Sequence, residues 1–195
     1  MPDLEMFEET LTGARRGDAR SFDVLWRWLQ PPLARYMTVA ASDAWEDLAS
    51  ETWLQVARDI HRFRGDADAF RRWFFTIARR RVLDHSRKQR RAGTVSPGAA
   101  SVPDLAEASD PVGDRMSTRA ALELIRTLPP AQAEAVALRV LADLSVKDVA
   151  RILGKRPGAV RVLTSRGLNT LAEKLSMGGA EAIAAAETEK FWGPR

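Results

Sequence analysis

The stretch from Ala67 to Arg91 constrains this chain more than any other. Phe70, Trp73, Phe74 and Ile77 recur at the three-and-four spacing of a helix with one buried stripe. Phe74 and Phe75 cannot both lie inward with equal ease, so Phe75 is expected to be the exposed aromatic. Cations crowd the same stretch: residues 62–91 hold eleven Lys/Arg against three Asp, a local charge of +8 in a chain whose net charge is +4. Cations at that density seek phosphate. Aromatics beside them pack into a core or stack on exposed bases.

The remainder is also written in helical periods, and strand signals are almost absent. A short helix is expected over about 4–16. A second, over about 21–39, has Phe22, Leu25, Trp26 and Leu29 on one face and is interrupted or kinked at Pro31-Pro32. Ser42 or Asp43 is placed to cap a third, whose Trp45, Leu48, Ala49, Thr52, Val56 and Ile60 form a buried face. Arg64-Gly65-Asp66 breaks the pattern before the fourth helix at 67–91. Residues 93–115 are rich in Gly, Pro, Ser and acids, the composition of a flexible linker. Helical periodicity resumes near Arg115 and runs to about Leu175, leaving 176–195 as a tail. That tail reads as a frayed end, or as a contact made by Phe191 and Trp192 on a domain or partner. The fold class is therefore all-α: two small helical domains, at 1–92 and 116–175, on a tether.

The second domain contains a shorter signal. Pro130 opens a helix carrying Val136, Ala137, Val140 and Leu141. Ser145 caps a short helix with Asp148 at its third position and Gly154 at its end. Pro157 starts another helix, with Val160, Leu168 and Leu171 inward. Helix, glycine-containing turn and second helix make a helix-turn-helix pattern. Residues 147–174 hold seven Lys/Arg and two acids, and Lys155, Arg156, Arg161 and Arg166 gather where a recognition helix meets a major groove.

Composition removes other classes. The chain has no cysteine, which excludes disulfides and thiolate metal sites, and only His61 and His85 among histidines, so no metal or other cofactor is expected. It shows no P-loop and no nucleophile–base set, which argues against an enzyme. No signal peptide or membrane-length apolar run appears, and a cytoplasmic protein with no membrane insertion is expected.

Both domains resemble the extracytoplasmic-function sigma factors, the minimal promoter-reading subunits of bacterial RNA polymerase. Asp43-Ala44-Trp45-Glu46-Asp47-Leu48-Ala49-Ser50-Glu51-Thr52-Trp53 resembles their core-binding region 2.2. Phe63-Arg64-Gly65, Phe70-Arg71-Arg72-Trp73-Phe74, Ile77-Ala78-Arg79 and Leu83-Asp84-His85 are similar to regions 2.3 and 2.4. Leu128-Pro129-Pro130-Ala131-Gln132, Leu144-Ser145, Val149-Ala150 and Leu153-Gly154 resemble region 4. The motifs occur in order over about residues 5–91 and 116–175.

The resemblance implies partners and roles. Asp47, Leu48, Glu51 and Trp53 would dock on the β′ clamp helices of core RNA polymerase, and the β flap would be a further contact. The loop Phe63 to Ala69 would hold a base flipped from the −10 element of promoter DNA. Arg64, Gly65, Asp66, Arg71, Arg72, Phe75, Arg79, Arg80 and Arg87 are the −10 candidates. Lys155, Arg156, Pro157, Gly158, Ala159, Arg161, Val162, Ser165 and Arg166 are the −35 candidates. An anti-sigma factor is a family expectation. A stand-alone helix-turn-helix regulator is the alternative, and it leaves the first domain unexplained. Two departures stand out. Arg80 replaces an Asn common in the family, a change from a base-bonding amide to a cation that favours phosphate or guanine. Leu163 and Leu168 stand where Arg or Lys is common, which leaves Val162 or Leu163 to meet thymine methyls. Asp84 is expected to pair with Arg80 or Arg87.

Overall fold

A computed structural model describes the backbone of residues 3–93 and 112–191, and side chains over 3–93 and 118–176. Within those residues every regular element is helical. The first domain comprises α1 (Leu4–Arg15), α2 (Ala19–Ala40), α3 (Trp45–Asp59), a 3-10 turn at Ile60–Arg62 and α4 (Ala67–Arg91). The second comprises α5 (Val112–Arg126), α6 (Pro130–Val136), α7 (Val146–Leu153) and α8 (Pro157–Phe191). Most of the expected linker falls outside the described residues, and its last residues already belong to α5.

Local chemistry sets most of these boundaries. Asp18 caps α2 by accepting from the Ser21 amide at 2.9 Å, and Asp66 caps α4 by accepting from the Ala69 amide at 2.8 Å. The start of α3 differs from expectation, because its first turn has no side-chain cap. Asp43 is drawn instead to α4, where it pairs with His85 Nε2 at 3.3 Å and accepts from Gln89. Helix α2 also runs through Pro31-Pro32 unbroken. Leu25 and Leu29 before the prolines, and Leu33, Tyr36 and Met37 after them, are fully buried. Their burial offsets the roughly 3 kcal/mol that a proline inside a helix costs. Trp26 is the misplaced member of that face: it is exposed.

Helix α4 buries more than one stripe. Phe70, Phe74 and Phe75 are all fully enclosed, and Trp73 and Ile77 pack half-buried at the margin. Phe74 lies against Trp53, ring centroids 4.9 Å apart, and Phe75 meets Tyr36 edge-on at 5.9 Å. The expectation that Phe75 faces solvent is therefore wrong. The positions 71, 75 and 79 follow one side of the helix, and α7 of the second domain packs against α4. Helix α2 likewise packs against α5 and α6; one apolar cluster spans both domains, and a smaller one in the second domain joins Ile125, Leu128, Ala133 and Val136.

In the second domain Pro130 occupies the first turn of α6, as its fixed φ permits. Beyond α6 the backbone widens over Ala137–Leu141, with the Ala142 amide bonded five residues back to the Ala137 carbonyl at 3.0 Å. This wider turn leaves Val140 exposed rather than inward. Ser145 accepts from the Asp148 amide at 3.1 Å, and Gly154, at φ 64°, ends α7 in a left-handed cap. Helix α8 continues past Gly178-Gly179, so no break separates the expected tail from the domain. Trp192 lies outside the described residues.

Gly167 is where α8 comes closest to α6. A Cβ there would lie 2.7 Å from Val136 Cγ2 and 3.4 Å from Leu128 Cδ1. Val136 is fully buried and has no room to yield. By helix propensity alone Gly167→Ala would stabilise by about 1 kcal/mol. The contact predicts the opposite sign, a loss of about 1–3 kcal/mol from overpacking, measurable by urea denaturation.

Candidate nucleic-acid interface

The helix-turn-helix presents its candidates as one surface. Lys155, Arg156, Pro157, Gly158, Ala159, Arg161, Val162, Ser165 and Arg166 are all exposed. Val160 and Gly167 turn inward and fix which side of α8 remains free. Leu163 is half-buried against the core, whereas Val162 is exposed. Leu168 is exposed, not inward as its spacing suggested.

The loop between α3 and α4 is held from α1. Arg15 donates to the Gly65 carbonyl, and its guanidinium lies 5.0 Å from the centroid of the Phe63 ring. Glu8 accepts from the Ala67 amide. Gly65 has φ +145°, and a Cβ there would lie 2.9 Å from the Ala69 Cβ, so only glycine fits. Arg64 folds back onto the carbonyls of His61 and Phe63 at 3.0 and 2.9 Å. Asp66 is engaged as the α4 cap. Arg15 and Glu8 carry no signal in the sequence as loop supports, because they lie some fifty residues from what they hold.

The cations of α4 divide into two sets. The Arg80 side chain is 84% exposed, and Arg80 and Arg87 flank Asp84 at 4.0 and 3.2 Å, as their spacing implies. Arg71, Arg72 and Arg79 are instead turned to the second domain. Arg71 donates to the carbonyls of Ala142 and Asp143 at 2.9 and 2.8 Å. Arg72 pairs with Asp148 at 2.7 Å and Arg79 with Glu134 at 2.8 Å. Burial opposes ionisation of Asp148, yet hydrogen bonds from Ser145 and Arg72 and the charges of Arg72 and Arg151 outweigh it and hold the carboxyl below its usual value. Tyr36 is buried beside the Arg79–Glu134 pair, and burial first, then the Glu134 charge, pushes its phenol well above the ordinary value. Phe75 is not available to a ligand.

The third candidate surface, on α3, keeps only part of its expected membership. Asp47 and Glu51 are exposed, whereas Leu48 and Trp53 are core residues. The Trp53 indole donates to Gln30 Oε1 at 2.7 Å. Leu54 replaces them on the outer face, 62% exposed, three residues beyond Glu51 and seven beyond Asp47. That helical spacing was the signal for it. Among the described residues no cluster of His, Asp and Glu is placed to hold a metal, and no helix is long and apolar enough to cross a membrane.

Comparison with known proteins accounts for both domains. Residues 29–92 match the family model of Sigma-70 region 2, and residues 118–171 match that of Sigma-70, region 4. The chain is 36% identical over 171 residues to the ECF RNA polymerase sigma factor BldN of Streptomyces coelicolor, covering 86% of this chain and 65% of BldN. It is 31% identical over 185 residues to the ECF RNA polymerase sigma factor ShbA of Streptomyces griseus, covering 84% of this chain and 95% of ShbA. The sigma factor RpoE of Bartonella quintana, solved in complex with the anti-sigma factor NepR, matches with a TM-score of 0.64 at 23% identity, over 81% of this chain and 98% of that one. That structural likeness is one of fold.

The division between core and surface is open to measurement. Phe75→Ala is expected to cost about 3–5 kcal/mol of folding stability. Leu54→Ala is expected to change it by less than about 0.5 kcal/mol. Paired denaturant titrations distinguish the two.

Proposed function

The chain belongs to the extracytoplasmic-function sigma factors of the sigma-70 family, and we propose that it directs core RNA polymerase to promoters by reading a −35 element with α8 and a −10 element with α4 and the loop before it. The observation that carries this reading is the surface formed by the turn before α8 and the outer face of α8, where all nine −35 candidates are exposed while Val160 and Gly167 seat the helix. The turn supplies Arg156, and the N-terminal half of α8 carries Arg161 and Arg166, suited to phosphates and guanine edges, and Val162, suited to thymine methyls.

In the first domain the loop braced by Arg15 and Glu8 receives the flipped base, and the braced backbone lowers the ordering cost of holding it. Arg80 meets the separated strand. Its long cation favours phosphate or guanine over the adenine contact that an amide makes. Asp47, Glu51 and Leu54 form the docking face for the polymerase clamp, an acidic rim around one exposed leucine. Leu48 and Trp53 act beneath it by fixing α3. An anti-sigma factor and a β-flap contact are partners implied by the family alone. The protein acts in the cytoplasm, with its polymerase.

The test is reconstitution with bacterial core polymerase. The complex is expected to start transcription at discrete sites on genomic fragments, and no start is expected from either component alone. Absence of core binding in a pull-down sinks the reading, and a shift of duplex DNA by the free chain at the same concentration favours the stand-alone regulator. Asp47→Lys with Leu54→Ala is expected to weaken core binding by at least tenfold, about 1.4 kcal/mol. Arg161→Ala is expected to cost about 1–3 kcal/mol at one promoter position if it reads a base.

A further inference from the structure

The loop between α3 and α4 draws part of its order from its own side chains. Arg64 binds the carbonyls of His61 and Phe63, and Asp66 caps α4. The Gly65 carbonyl and the Ala67 amide are met instead by Arg15 and Glu8, both on α1. Gly65 has the widest backbone choice of any loop residue, and at φ +145° it is held where other residues rarely go. Arg15 thus anchors the loop at its least constrained point. Its guanidinium also lies over the Phe63 ring, which packs on Phe70 and Trp73 at 5.3 and 5.1 Å. The Arg15 Nε is buried and meets no acceptor. Swinging out to water would satisfy that group, so the Gly65 carbonyl and the Phe63 ring outweigh the gain. Helix α1 is itself fixed. Phe7 stacks on Trp28 of α2 and packs against Phe70 of α4. Gly13 lets α2 come so close that a Cβ there would lie 2.2 Å from Ser21 Oγ. Arg15 follows two residues later, on a packed helix end. None of the −10 candidates read from the sequence lies on α1.

We infer that Arg15 is a positioning residue for base selection: it fixes the Gly65 carbonyl and the Phe63 ring in the arrangement in which the loop accepts one flipped base, so that α1 governs how sharply the −10 element is read. This rests on the proposed −10 role of the loop. A flipped base gains stacking and pocket contacts in full only where the groups around it already stand in place. A loop released at Gly65 has to be ordered at each encounter, and it adapts to a wrong base almost as well as to the right one. Arg15 does not work as a phosphate contact, because its guanidinium is committed to Gly65 and Phe63. The brace touches neither the outer face of α8 nor Asp47, Glu51 and Leu54 on α3. Its loss therefore acts on capture of the separated strand and leaves duplex reading and polymerase docking alone. Lysine at this position keeps a cation for the ring and a donor for the carbonyl, whereas methionine keeps only the packing of the stem.

The test uses the full chain with core polymerase, on a promoter whose start site is mapped. One base at a time is removed from the non-template strand of the −10 element, and the rate of open-complex formation is measured on each abasic template. The wild-type holoenzyme is expected to lose about tenfold or more at one position, the captured base. With Arg15→Met the penalty at that position is expected to fall below about threefold, while the penalties for the other positions and for a substituted −35 element keep their wild-type ratios. Arg15→Lys is expected to restore most of the lost penalty. Glu8→Gln, which keeps an acceptor for the Ala67 amide, is expected to retain it. Each ratio is taken within one protein, so a variant that is merely less stable lowers every rate together and leaves the ratios unchanged. That result, a sensitive position in the wild type that keeps its full penalty in Arg15→Met, overturns the inference and leaves the −10 role of the loop standing. A wild-type holoenzyme with no sensitive position overturns both.

Discussion

Helix α4 is anchored by rings on several sides at once. Phe70 meets Phe7 and Phe63, Phe74 meets Trp53, and Phe75 meets Tyr36. These contacts draw α1, α2 and α3 around one axis and fix the rotation of the helix. Everything charged on α4 then follows. With the rings committed inward, Arg80 and Arg87 come out to solvent, and Arg71, Arg72 and Arg79 come out where the second domain lies. The cationic face of the helix is the remainder left by its packing, and a change in the rings would turn the arginines with them.

Much of this was legible from residue spacing. The start of α4 at Ala67, the Ser145 cap, the left-handed Gly154 and the Pro157 start of α8 are local signals, and each is found as read. The exposed side of α8 was legible for the same reason: one helix with one buried side determines its other side. What failed were positions whose environment comes from a distant element. Phe75 was set outward because the stripe of a single helix has one centre, and the sequence cannot announce that Tyr36 of α2 packs on the neighbouring side. Asp43 was read as a cap because its competitor partners lie more than forty residues away. Pro31-Pro32 was read as a break because burial on both flanks is a tertiary matter. By helix propensity Gly167 is a cost, whereas its missing side chain admits the close approach of Val136 in α6.

The two families of contact on the second domain have different physical characters. Its contact with the first domain is mixed, apolar beneath and ionic at the rim, whereas the outer face of α8 is mostly polar, with Val162 and Leu168 exposed on it. An interface with charged edges forms and separates more readily than one sealed by carbon alone, since water can replace each ion pair in turn. That suits the proposed reading of two promoter elements by the two domains of one chain.

Asp148 and Glu134 are unequal in what their loss entails. Glu134 bonds Arg79 from the middle of α6 and takes no part in capping a helix. Asp148 holds Arg72 while its amide and carboxylate complete the first turn of α7 with Ser145. Variation at residue 134 therefore adjusts the grip between domains without touching the reader, while variation at residue 148 changes both together. One position therefore loosens the joint alone, and the other loosens the joint and the start of the helix-turn-helix at once.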